Sequence, residues 1–154
     1  MSVERTILIV AWILIILALL LLVPRKKFRE AQLAFLIKQM ITWSGAMFVV
    51  EKGWIQFPVR EISSYGSSFT YDFFVHPALC AIFIAHYPEK RSILNKLGYY
   101  ALFCSGMTLI EVMVEKNTNL IKYTGWTWYW TWIGLFITFV ISRLYVRWYC
   151  KLIH

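Results

Sequence analysis

Asp72 and His76 stand four residues apart, and so do Glu111 and Glu115. On a helix that spacing puts both members of a pair on one face, about 6 Å apart along the axis. A carboxylate beside an imidazole, or two carboxylates together, can hold a hard cation or pass a proton. The same groups can also line a pocket for a polar ligand. They can equally form a purely structural network, with Arg60, Lys116 or a tryptophan N–H as partner. Spacing alone leaves these readings open, because polar pairs four apart are common. Asp72, His76, Glu111 and Glu115 are the only metal-ligand candidates, on weak grounds. Lys38 is a fifth ionisable group within an apolar run. Read about five residues in from the end of its span, it reaches the headgroups by its long stem, with a salt bridge inside the bundle as the alternative.

The surroundings of these residues narrow the chemistry. The chain has 154 residues, of which 60% are hydrophobic and 18% aromatic, against roughly half apolar in a soluble domain. Sixteen Lys and Arg oppose eight Asp and Glu, for a net charge of +8. That charge lies in short clusters between long apolar runs, which is the pattern of a polytopic membrane protein. Nucleic-acid binding is not expected.

Five runs approach the roughly 17–25 residues needed to cross a bilayer. They are residues 6–23, 33–50, 71–87, 97–114 and 126–142. The expected fold is therefore all-α: five transmembrane helices in a single membrane domain covering 1–154. The first run is not read as a signal peptide. Its basic cluster, Arg25, Lys26, Lys27 and Arg29, follows the apolar stretch, and no small-residue cleavage site ends it.

Basic residues predict the orientation. With the first cluster cytoplasmic, the segment with Lys90, Arg91 and Lys96 and the tail with Arg143, Arg147 and Lys151 join it. That side holds ten basic residues against Glu30 and Glu89, while the other holds Arg5, Lys52, Arg60, Lys116 and Lys122. The bias places the N-terminus outside and the C-terminus in the cytoplasm.

Helix stripes predict the packing. Membrane interfaces favour small and hydrogen-bonding residues. The first helix has almost none and is expected at the periphery. The second carries Lys38, Thr42, Gly45 and Val49. The third carries a polar line, Asp72, His76 and Cys80, and a small-residue line, Ala78, Ala81 and Ala85. The fourth carries Ala101, Cys104, Thr108, Glu111 and Glu115, and the fifth Thr127, Thr131, Gly134, Thr138 and Ser142. Helices two to five form the expected core, with the third at its centre. A larger side chain at Gly134 or Thr108 is expected to push backbones apart.

The stretch "TGWTWYWTWIG" puts tryptophan at 126, 128, 130 and 132. Such alternation usually marks a strand, but a lone strand would leave backbone groups unpaired in lipid. On a helix Trp126 and Trp130 lie on one side, and Trp128 and Trp132 nearly opposite. The run reads as an interfacial aromatic anchor, or as an aromatic platform for a ligand headgroup. Residues 51–70, with Pro58, Gly66 and four serines, make a poor helix and are expected to cap the bundle. Pro77 frees the carbonyl of Phe73 and predicts a kink beside Asp72 and His76.

No cofactor is expected. Cys80, Cys104 and Cys150 are too widely spaced for a CxxC site, and no disulfide is predicted. His76 and His86 are too far apart on one helix to clamp a haem, and a His86–His154 pair is disfavoured.

Two stretches, "WIQFPVREISSYGSSFTYDFFVHPALCAIF" and "TLIEVMVEKNTNLIKYTGWTW", resemble a largely uncharacterised family of small integral membrane proteins of endospore-forming bacteria. The elements that carry the likeness are Pro58, Arg60, Asp72, Pro77, Glu111, the Thr118–Asn119–Leu120 turn, Tyr123 and Trp126, within about residues 40–135. The tryptophan run is richer than the family pattern. The resemblance implies a bacterial plasma membrane and adds Asn119 to the polar-site candidates, but implies no activity or cofactor. The leading expectation is a non-catalytic bundle that binds a lipid, a membrane-protein partner or a second copy of itself, with a polar site near the outer face. The alternative is a transporter or membrane enzyme that handles protons or cations through Glu111, Asp72 and His76.

Overall fold

A computed structural model of the chain describes residues 2–153. Among them are five α-helices: α1 (Val3–Leu22), α2 (Phe28–Glu51), α3 (His76–Ala85), α4 (Ile93–Asn117) and α5 (Trp128–Ile153). Two two-residue strands, β1 (Ile55–Gln56) and β2 (Lys122–Tyr123), pair antiparallel. The protein is thus all-α, with a minimal sheet on its loops. α1, α2, α4 and α5 are long and apolar enough to cross a membrane.

The chain sets its helix ends with local chemistry. Ser2 and Ser92 cap α1 and α4, each side chain accepting a backbone N–H at 3.4 Å. α2 is closed off by Gly53, two residues past its end, whose φ of 71° suits glycine. There the N–H of Gly53 reaches Val50 O (2.9 Å) and that of Trp54 reaches Val49 O (3.2 Å), the paired bonds of a Schellman cap. Several helices outrun the apolar spans expected for them. α5 continues to Ile153 instead of stopping near 142, because Arg143 is buried against Tyr87 and paired with Glu89.

The third apolar run is built differently and is shorter than the expected span 71–87. Tyr71–Val75 form a π turn that runs into α3, giving a 15-residue apolar helix in all, about 22 Å of rise. The N–H of His76 bonds Tyr71 O, the i→i−5 step of a π turn. Phe73 O cannot receive its α-helical bond, because residue 77 is proline. Gln39 Nε2 of α2 donates to it instead, at 3.0 Å. The expected Pro77 irregularity is therefore a π turn held by a neighbouring helix. Glu61 anchors the entry to it: its carboxylate accepts from Ser68 Oγ and from the N–H groups of Phe69 and Thr70 at 3.2–3.3 Å.

α2 to α5 share one core, with Ala34, Phe83, Ile84, Cys104, Met107, Leu135, Phe139 and Val146 all buried. α3 lies at its centre, and most of its residues are buried. α1 is peripheral: only Leu8 is buried, and Trp12 docks it by stacking on Phe74 at 3.9 Å and donating to Thr70 Oγ1 at 3.0 Å. Successive helices alternate in direction. One end of the bundle, here the basic end, carries residues 23–27, residues 86–92 and the end of α5. The other, the loop end, carries residues 52–70 and 118–127. Both residue 124 and residue 125 donate backbone N–H groups to Trp54 O at 3.0 Å, which ties the two loops together. Gly125 allows this approach, since a Cβ there would sit 2.9 Å from the Trp54 ring.

Candidate functional site

A cavity of about 200 Å³ lies between α2 and α5, roofed by the loop end. α2 contributes a face of small and apolar side chains from Lys38 to Val50, a length of about 18 Å by helical rise. α5 contributes Trp130, Thr131, Gly134, Leu135 and Thr138, while Ile55, Phe57, Ile121 and Trp126 close the loop end. Four ionisable residues border this apolar space: Lys38, Asp72, His76 and Glu111.

Three of the expected site residues, Asp72, His76 and Glu111, therefore meet at one cavity, each brought by the helical stripe that carries it. Glu115, Arg60 and Asn119 do not border it. Arg60 instead donates from Nε to Phe57 O within its own loop, at 2.9 Å. Asn119 is exposed in the turn after α4, and Glu115 lies one turn beyond Glu111, nearer the surface.

Glu111 is 8% exposed, and its Oε1 accepts from Tyr123 OH at 2.5 Å and Thr131 Oγ1 at 3.0 Å. Trp126 Nε1 in turn donates to Thr131 Oγ1 at 2.8 Å. Two hydroxyls thus donate to this carboxyl group, one of them held in turn by an indole, and neither Arg60 nor Lys116 folds over it. Among the described residues the two ion pairs are Lys27–Glu30 and Arg143–Glu89, both at the basic end. Burial, and then Glu111 beside it, hold the Tyr123 phenol well above its usual range, so it stays a donor.

Asp72 is 3% exposed, and its Oδ2 has no hydrogen-bond partner. His76 borders the cavity edge-on to the ring of Tyr71, at 6.0 Å between centroids. Lys38 departs from the snorkelling expected of it. α2 begins at Phe28, which puts Lys38 about 15 Å from the start of the helix, beyond reach of that end. It is 1% exposed, donates to Thr138 Oγ1 and lies 4.5 Å above the Phe139 ring.

The tryptophan run is helical from Trp128 onward, and its two sides do different things. Trp126 and Trp130 border the cavity, with rings 6.4 Å apart, and Trp126 stacks on Trp54. On the other side Trp128 and Trp132 line a groove with α4, where Trp132 Nε1 donates to Ser105 Oγ at 3.1 Å. Gly134 also departs from expectation. A Cβ there, or at Gly45, would meet nothing within 4 Å, so neither glycine is a point of helix contact.

Among the described residues no three His, Cys, Asp or Glu side chains stand close enough to hold a metal ion. Asp72, His76 and Glu111 share a cavity without forming a ligand set, and Glu115 stands apart from them. Cys80, Cys104 and Cys150 are free thiols. His154, half of the disfavoured haem pair, lies outside the described residues.

Sequence reasoning missed Thr131, Thr138 and Glu61. Thr131 and Thr138 stood in the α5 stripe, but their partners lie on other helices. Glu61 precedes α3 by too many residues to read as a cap. The fold defines a helical membrane protein with a largely apolar cavity bordered by Lys38, Asp72, His76 and Glu111. Comparison with protein-family models, curated proteins and solved structures gives no match to this chain.

Proposed function

We propose that the chain is a non-catalytic, multi-pass protein of a bacterial plasma membrane, N-terminus outside, that binds a lipid or similar amphipath between α2 and α5. One observation carries this reading: an apolar cavity within the bundle has its few polar groups gathered from four helices onto its wall. Small-molecule sites have this character, with apolar walls and a few convergent polar groups. A protein partner or a second copy would dock on the lipid-facing surface and would leave the cavity without a role. The resemblance to membrane proteins of endospore-forming bacteria supports the location.

Gly45→Leu and Gly134→Leu test the reading, because each new side chain would grow into open space. In detergent, native mass spectrometry of the purified chain should show retained lipid, reduced about tenfold or more in either variant. The melting temperature should hold or rise, since leucine is the better helix former. Lipid retained equally by the wild type and both variants would defeat the reading.

A second reading, proton or cation handling, rests on the meeting of Asp72, His76 and Glu111 at the same cavity. Proteoliposomes that acidify in response to an ion gradient, and fail to do so with Glu111→Gln, would favour it.

A further inference from the structure

The two acidic residues on the cavity wall have no basic partner among the described residues. Asp72 and Glu111 bring two carboxyl groups, and Lys38 brings an amine that is already engaged by Thr138 and Phe139. No opposite charge pairs with Asp72 or Glu111 among the described residues. Glu111 has hydroxyl donors, whereas Asp72 Oδ2 has none in hydrogen-bond geometry, the Ser67 hydroxyl beside it being likewise unpartnered. A buried carboxyl oxygen without a donor is costly, and Asp72 borders the cavity. Aromatic rings share the space: Tyr71, Trp126 and Trp130 line the same cavity.

We infer that the cavity takes an organic ammonium group, held by the Asp72 carboxylate and the faces of Tyr71, Trp126 and Trp130. The inference rests on the lipid-binding reading and names the chemistry of the headgroup. Carboxylate and aromatic face are the two partners that recognise an organic ammonium group. Other ligand classes fit less well. An anionic headgroup would have to sit among two carboxylates to reach Lys38. A hard inorganic cation needs six or more oxygen ligands, and no three ligating side chains converge here. An ammonium needs one carboxylate and a wall of rings. Its source is a lipid headgroup, such as phosphatidylethanolamine, or a free amine.

The test uses the full chain in detergent, offered equal phosphatidylethanolamine and phosphatidylglycerol and examined by native mass spectrometry. Wild type should retain the ammonium lipid about tenfold over the anionic one. Asp72→Asn should bring the ratio near one while total lipid holds. Trp130→Leu changes a half-exposed ring, folds more safely and should also lower the ratio. Melts with millimolar ethanolamine or tetramethylammonium identify the source. A rise with these that is absent in Asp72→Asn supports the site and points to a free amine. The ratio preference without that rise supports it and points to a lipid. A wild-type ratio near one with no rise from the amines overturns the inference. So does a ratio unchanged by both variants, or a rise matched by Na⁺ or Ca²⁺. Equal retention of both lipids that Gly134→Leu abolishes would remove only the ammonium assignment. Retention of neither lipid, with no response to amines, would remove the cavity reading as well.

Discussion

Glu111 shows how a buried carboxylate is stabilised without a cation. Its Oε1 takes two hydroxyl donors, and Trp126 orients one of them through Thr131. Removing a donor leaves a buried carboxyl oxygen short of a bond, so Tyr123→Phe and Thr131→Val should each cost about 1–3 kcal/mol in a reversible melt. Tyr123→Phe should also change the pH dependence. The folded state raises the phenol pKa, chiefly by burial. The stability this gives is full below the ordinary tyrosine value of about 10 and is lost as pH rises through the folded value. Wild type should therefore lose stability in alkali that Tyr123→Phe does not; identical alkaline profiles would refute the role. From the sequence Glu111 was legible as an ionisable group in a span, because hydropathy isolates it. Its donors lie twelve and twenty residues further on, beyond a turn, and no local spacing reports them. Lys38 misled for a related reason. The hydropathy edge at Leu33 hid five helical residues before it, which put the amine too deep to snorkel.

At the scale of elements, Pro77 and Gln39 act as a pair across α2 and α3. Proline removes the N–H that Phe73 O would use, and Gln39 supplies another. Gln39→Ala should then cost about 1–2 kcal/mol and increase amide exchange around Tyr71–Val75. Pro77→Ala restores the backbone donor, so Gln39→Ala should cost much less in that background. A double-mutant cycle reads the coupling directly, and simple additivity would show that the glutamine is not the compensating donor. Half of this was visible in sequence, since a proline inside a helical pattern always orphans the carbonyl four residues back. The other half needs the depth at which α2 passes α3. The same limit explains Gly134. A small residue on a stripe reads as a helix contact, yet here it borders a cavity, with open space where a Cβ would sit.

At the scale of the whole molecule, the alternation of five helices groups the charged segments into two ends, and the ion pair Arg143–Glu89 lies within the basic one. Five apolar helices and a core of helices two to five could be read from apolar runs and polar stripes, because lipid imposes both a length and a choice of interface residues, although the third, at 15 residues, is shorter than the roughly 17–25 that a crossing needs. Which end faces the cytoplasm is our proposal, and it rests on the basic bias of 25–29, 88–96 and 143–151. A single cysteine at Asn119, exposed in the loop that follows α4, tests it in a chain whose own three cysteines are serine. An impermeant thiol reagent should label that position in intact cells without permeabilisation. A cysteine at Lys26, exposed at the basic end, should react only after permeabilisation. The reverse pattern would turn the molecule over and place the cavity roof, with Trp126 and Trp54, at the cytoplasmic headgroups. Labelling of both positions in intact cells would mean two orientations coexist, and the basic bias would then be too weak to set one.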